Sequence, residues 1–211
     1  YFMGAGDEVP ASLEQLGYEV TLLEDRDMTV ENLSRFDAVI MGVRAYNTQR
    51  RLRFHQDKLM EYVKRGGTMI VQYNTASRFV TGLAVPMEEI GPYPLKLSRD
   101  RVTDEYAEVR FLQPDHPVLN YPNKITQKDF EGWVQERGLY FPNEWDDAYQ
   151  AILSSNDKGE PARNGGLLVA EYGEGYYVYT GYSWFRELPA GVAGAFRIFA
   201  NMISLGKETR P

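Results

Sequence analysis

Two apolar runs, Asp37-Ala38-Val39-Ile40-Met41-Gly42 and Thr68-Met69-Ile70-Val71-Gln72-Tyr73, constrain this chain more than any other feature of it. A strand that faces water on one side alternates apolar and polar residues, whereas a run without alternation is covered on both faces, as strands of parallel sheets are. Between the two runs, residues 54–64 carry helical spacing and Gly66-Gly67 stops them. Strand, helix, strand is the right-handed crossover unit of an α/β fold.

The alternation extends in both directions. Residues 1–3 read as the end of a strand entering the turn Gly4-Ala5-Gly6, residues 9–16 as a helix closed by Gly17, residues 18–23 as a strand, and residues 30–35 as a short polar helix. Pro86, Gly91, Pro92 and Pro94 mark residues 74–97 as an irregular insertion over one end of the sheet. Residues 109–112 and 151–154 read as strands, Asp115-His116-Pro117 as a turn, 130–145 as loop mixed with short strand, and 156–164 as a polar loop. Residues 167–172 turn through Gly173-Glu174-Gly175 into 176–180, a hairpin, and residues 192–205 form a helix with Phe196, Phe199, Ala200 and Ile203 on one stripe. The expected architecture is a three-layer α/β sandwich with a mainly parallel central sheet and a C-terminal β-hairpin. With no repeat or linker, residues 1–211 are expected to form one domain; the missing initiator Met and signal segment mark it as excised from a longer chain.

Composition narrows the function. A formal net charge of -7 works against binding phosphate backbones, so nucleic acid is an unexpected partner. No apolar run is long enough for a membrane span. The chain has no cysteine, which removes thiolate nucleophiles, thiolate metal sites and disulfides. It has two histidines and no His-Glu-x-x-His, so neither a metal site nor a cofactor is expected.

In open parallel sheets ligands bind beyond the C-terminal strand ends, which here follow Met3, Met41 and Tyr73. After Met3, Gly4-Ala5-Gly6 lacks the third glycine of a dinucleotide fingerprint, and Asp7 reads as a helix cap. After Met41 come Arg44, Tyr46 and Asn47, a cationic donor beside an aromatic platform. Tyr73, Asn74, Thr75 and Ser77 occupy the strand-to-helix bend where related folds place a nucleophile, but a hydroxyl there needs a base within reach. His55 reads as a surface or capping residue. His116, beside Asp115, reads as a turn residue, with an oriented base as the sharper alternative. Aromatics next to charged groups, Glu131 and Trp133 in one cluster and Trp184 and Arg186 in another, suit a sugar ring or an interface, with core packing the commonest role for any one of them. Paired acids such as Asp129 and Glu131 could serve as acid and base in glycoside cleavage, though spacing in sequence does not fix their separation.

The run 37–42 followed by Tyr62-Val63-Lys64-Arg65-Gly66-Gly67-Thr68-Met69-Ile70-Val71, with Asp115-His116-Pro117-Val118 and the hairpin at 172–181, resembles the class I glutamine amidotransferase-like superfamily. That group includes ThuA-like proteins and the trimerisation domain of some β-galactosidases, and the resemblance implies a flavodoxin-like fold. The superfamily's nucleophilic Cys elbow corresponds to Tyr73-Asn74-Thr75, and its His-x-Glu pair has no counterpart near residues 184–187, so glutamine hydrolysis is not implied. Segments 3–10, Gly42-Val43-Arg44-Ala45-Tyr46-Asn47, 96–103 and Phe130-Glu131-Gly132-Trp133-Val134-Gln135-Glu136-Arg137-Gly138 look like the C-terminal domain of bacterial PIG-L/LmbE family deacetylase proteins. Those proteins deacetylate through a separate N-terminal domain whose Ala-His-Pro-Asp-Asp-Glu motif is absent here. The reading is an accessory domain without catalytic residues, which binds a carbohydrate-type ligand through Arg44, Tyr46, Asn47, Tyr73, Asn74, His116, Glu131, Trp133, Trp184 and Arg186, or docks on the deacetylase domain. The alternatives are a hydrolase using His116 or Asp129 with Glu131, and a self-associating oligomerisation domain. The resemblance implies a bacterial source; the compartment, periplasmic or other, would depend on a signal upstream.

Overall fold

The computed structural model describes residues 1–76 and 82–207. Both apolar runs are strands: β1, Val39–Met41, pairs in parallel with β2, Thr68–Gln72. The C-terminal hairpin is also present, as β8, Leu167–Tyr172, and β9, Gly175–Thr180, turning at Gly173 with φ +63°. Strand β9 lies parallel to β2, so its C-terminal end sits at the same edge as those of β1 and β2. With β6, Tyr149–Ala151, the sheet order is β1-β2-β9-β8-β6, and its last two pairings are antiparallel. The sheet is therefore mixed, because the hairpin that supplies the third parallel strand brings an antiparallel partner with it.

Period-two alternation splits each central strand between two cores. Ile40, Ile70, Val178, Leu167 and Val169 face one core, covered by α1, Val9–Gln15, and α6, Ala193–Ile203. Val39, Met41, Met69, Val71, Tyr177, Tyr179 and Leu168 face the other, covered by α2, Val30–Leu33, and α4, Gln56–Lys64. Because both faces carry helices, no solvent-facing strand pattern develops, which explains the unalternating runs.

Other expectations need correction. Residues 18–23 form no strand; their backbone meets the sheet at Tyr1, whose amine donates to Thr21 O and whose carbonyl accepts from Leu23 N. The first strand reduces to a single parallel bridge, Phe2 to Met41. Residues 151–154 are divided between β6 and β7, Leu153–Ser154, which pairs instead with β4, Arg110–Phe111. The insertion ends by running into β3, Leu95–Val102, antiparallel to β5, Gly138–Trp145, with three register irregularities. Those bulges hide the alternation by which a strand is read in sequence.

Candidate functional site

The C-terminal ends of β1, β2 and β9 converge. Gly4 lies so close to the 42–45 bend that follows β1 that a Cβ on it would stand 2.1 Å from Val43 O. Its role is this close backbone approach, with Ala5 N donating to Val43 O at 2.7 Å, and not phosphate binding. Asp7 knits the same corner: its carboxylate accepts from Val9 N, at the start of α1, and from Val43 N, and from the Tyr1 hydroxyl. The expected cap is real, though Asp7 stands one residue before the N-cap position.

Arg44 sets the next feature. Its backbone is left-handed, φ 58°, and its N–H donates to Tyr73 O at 2.8 Å. Nε of Arg44 is buried without a hydrogen-bond partner, and none of the salt bridges found among the described residues involves this guanidinium. Tyr73 stacks on Tyr140 with ring centroids 5.7 Å apart and tilts against Phe185 at 5.4 Å. Burial pushes the Tyr73 phenol above its ordinary range, against the pull of Arg44 and Arg186, while Tyr140 and Glu136 add to the rise. Arg186 lies over the Phe185 ring at 4.8 Å and donates Nε to Glu136 at 2.7 Å; Ser183 donates to the same carboxylate oxygen. Phe185 and Arg186 belong to α5, Trp184–Glu187, which follows β9.

Among the described residues, the non-glycine positions with positive φ are Arg44, Gln135 and Tyr140. Arg44 and Tyr140 both touch Tyr73, and Gln135 adjoins Glu136. Such conformations cost about 1–3 kcal/mol each and persist where surrounding structure imposes them, commonly at functional sites.

Several residues expected to bind ligand are spent on structure. Tyr46 is wholly buried and donates its hydroxyl to Gln56 Oε1. Asn47 clasps Thr75, accepting its N–H and donating to its carbonyl, and the buried Asn74 side chain accepts from Tyr46 N and donates to Gln72 O. Trp133 and Trp184 are core residues because each indole N–H finds an internal acceptor, Asp129 O and Thr180 Oγ1 respectively. His116 caps the turn at Pro117–Leu119, its Nδ1 accepting from Val118 N. Asp129 is buried on Arg197 and the Thr126 cap, whereas Glu131 is exposed, so the carboxylate couple faces two environments. His55 is not on the surface: it is 8% exposed and holds Asp25 at 2.6 Å. Thr75 Oγ1 is buried without a partner, and Ser77 lies outside the described residues.

Of the expected set, the structure thus brings Arg44, Tyr73 and Arg186 to one place and adds Tyr140, Phe185 and Glu136. A chain-wide comparison gives the fold its relatives. A cytoplasmic protein of Salmonella typhimurium superposes with a TM-score of 0.57 at 14% identity over 92% of this chain and 83% of its own. A putative ThuA-like protein from Bacteroides uniformis gives 0.56 at 14% identity over 97% and 90%. The fold is ThuA-like. A cold-adapted β-galactosidase from Rahnella sp. R3 shares it, with a TM-score of 0.54 and 17% identity over 92% of this chain but 26% of the enzyme. No family model matches this chain, and no curated protein matches it in sequence. No helix among the described residues is long and apolar enough to cross a membrane, and no group of three or more His, Asp or Glu there is placed to hold a metal ion.

Proposed function

We propose that this ThuA-like domain is a non-catalytic binding module for a carbohydrate-type ligand that carries an anionic group. The observation that supports it is Arg44, held in a strained backbone with a buried, unpartnered Nε beside the Tyr73–Tyr140 stack. The charge of Arg186 is already answered by Glu136, so Arg44 is the cation left for a ligand carboxylate or phosphate. The tyrosine and phenylalanine rings offer apolar faces for the C–H face of a sugar. Catalysis is a poorer reading: the chain contains no cysteine, and among the described residues the ring and ion-pair partners found for Tyr73 and Arg186 are Tyr140, Phe185 and Glu136.

The sequence resemblance to the C-terminal domain of PIG-L/LmbE-type deacetylase proteins suggests the setting, a domain of residues 1–211 that presents a sugar ligand to, or docks on, a deacetylase domain. A thermal-shift series with glucuronate, N-acetylglucosamine, glucosamine, glucose and glutamine tests the binding reading. A ligand at about 100 times its Kd stabilises by roughly 2.7 kcal/mol, several degrees for a domain of this size. The expected result is a shift with the uronate that disappears in Arg44→Gln. A uronate shift retained in Arg44→Gln, or no shift with any compound, refutes the reading.

A further inference from the structure

The two most exposed large apolar side chains among the described residues are Tyr106, 79% exposed, and Phe54, 61% exposed. Each stands among charged side chains, and the two sets of charges have opposite sign.

Phe54 ends the 3-10 turn Arg50–Phe54. Residues three apart eclipse on such a turn, so Arg50 and Arg53 project together, while Leu52 is buried in the core under α2 and α4. The Arg53 guanidinium lies over the Phe54 ring at 4.6 Å. Arg51 is held by Asp25, but none of the salt bridges found among the described residues involves Arg50 or Arg53. On a chain of net charge -7 this is a local cationic platform with an aromatic face. Arginine and aromatic side chains are the ones that dominate interface energetics.

Tyr106 stands on the bend of residues 103–108 with Asp104, Glu105 and Glu108, of which Glu108 alone has a cation near it, Arg110 at 3.4 Å. The bend is held from within. Asp157 accepts from Thr103 N and Asp104 N, Asp104 accepts from Tyr106 N, and the buried Arg137 donates Nε and Nη2 to Ala107 O. Val102 and Ala107 root it in the α1/α6 core. Tyr106 is thus presented on a fixed frame, so covering it costs little ordering entropy. The cationic platform is rooted in the other core, across the sheet, and the two patches cannot close on each other within one molecule.

We infer that the platform of Arg50, Arg53 and Phe54 docks the 104–108 bend of a second copy of this chain, with the arginines against Asp104, Glu105 and Glu108 and with Phe54 and Tyr106 covering one another. The contact is heterologous: a bound pair leaves one patch of each kind open, so copies add into a ring or a row and do not stop at two. Patches this small make a weak, transient contact. It uses no residue of the Arg44 site and does not rest on the ligand reading.

Sedimentation of the 211-residue chain at about 0.1 M salt, where a Debye length of about 10 Å screens the repulsion between whole chains, tests it. Two charge reversals are compared with the parent, Arg50→Glu with Arg53→Glu, and Glu105→Lys with Glu108→Lys. The parent's average mass should rise above that of one chain as concentration approaches about 1 mM, the range of a weak contact. Each reversal alone should stay at the mass of one chain, and their equimolar mixture should associate again, because each then offers the patch that the other lacks. A parent that stays single throughout, a reversal that associates as the parent does, or a mixture of folded reversals that stays single would overturn the inference. Should either reversal lower its own thermal midpoint, Tyr106→Ser decides in its place: it leaves every charge and should weaken the parent's association by roughly tenfold, and unchanged association would overturn the contact.

Discussion

At the residue scale, Glu187 carries the sharpest consequence. Its side chain is fully buried, with one oxygen accepting from Val134 N and the other without a partner. Burial raises its pKa from 4.5 to about 7, with Glu136 adding to the rise and Arg137 and Arg186 opposing it. A carboxyl whose folded pKa lies above its unfolded one stabilises the fold most fully below the unfolded value, and that contribution is lost as pH rises through the folded value. Stability should therefore fall between about pH 5 and 8, and Glu187→Gln should gain on the parent across that window by on the order of 3 kcal/mol. Urea denaturation of both proteins at pH 5 and pH 8 measures it, and parallel pH dependence in the two would show that Glu187 is not the titrating group. The same scale shows why aromatic residues mislead. Trp133 and Trp184 sit among charged neighbours in sequence, as sugar platforms do, yet both are core. Each indole N–H is satisfied by an acceptor four residues earlier, Asp129 O and Thr180 Oγ1, and the burial itself comes from packing against residues distant in sequence, such as Phe199 on Trp184 and Tyr182 on Trp133.

At the scale of elements, the runs of β1 and β2 and the hairpin read from local pattern are present, and so is the α6 helix. Of its expected stripe, Phe199 and Ile203 are buried while Phe196 and Ala200 are only half-buried, the core face being completed by Ala195, Ile198 and Met202. Arg44 and Tyr73 were legible as strand-end residues because a strand end needs no knowledge of the rest of the fold. Tyr140 and Phe185 were not, since their contact with Tyr73 depends on β5 pairing with β3 through bulges and on β9 lying parallel to β2. No spacing in the sequence announces either. One element contact lends itself to measurement, the seating of α6 on the 117–125 turn. Asn201 is fully buried; it accepts from Asn123 N and Nδ2 and donates to Val118 O and Asn123 O. Asn201→Ala strands these groups together, so a loss on the order of 3 kcal/mol is expected, from about 1–3 per buried unsatisfied group after partial rehydration. A calorimetric midpoint within a degree or two of the parent would mean the turn re-pairs with water and is not pinned by α6.

At the scale of the whole molecule, the central strands belong to both cores at once, since Ile40 and Met41, or Val178 and Tyr179, point to opposite faces of the same sheet. Neither helical layer can leave without exposing strands that the other layer needs, which predicts a single cooperative transition for the domain proposed over residues 1–211. The three tryptophans make this measurable, because Trp133 and Trp184 lie in one core and Trp145 packs against the other. In Trp145→Phe, fluorescence reports only the α1/α6 side; in the double variant Trp133→Phe with Trp184→Phe, it reports only the α2/α4 side. Each substitution changes stability, so each variant is compared with itself: its fluorescence transition in urea should coincide with its own far-UV circular dichroism transition, with equal slopes. A fluorescence transition that precedes the dichroism in either variant would reveal a layer that melts alone. The α2/α4 layer is the one to watch, because the segment that leads into it, residues 18–23, reaches the sheet by two backbone hydrogen bonds at Tyr1 and contributes Leu23 alone to that layer's buried core.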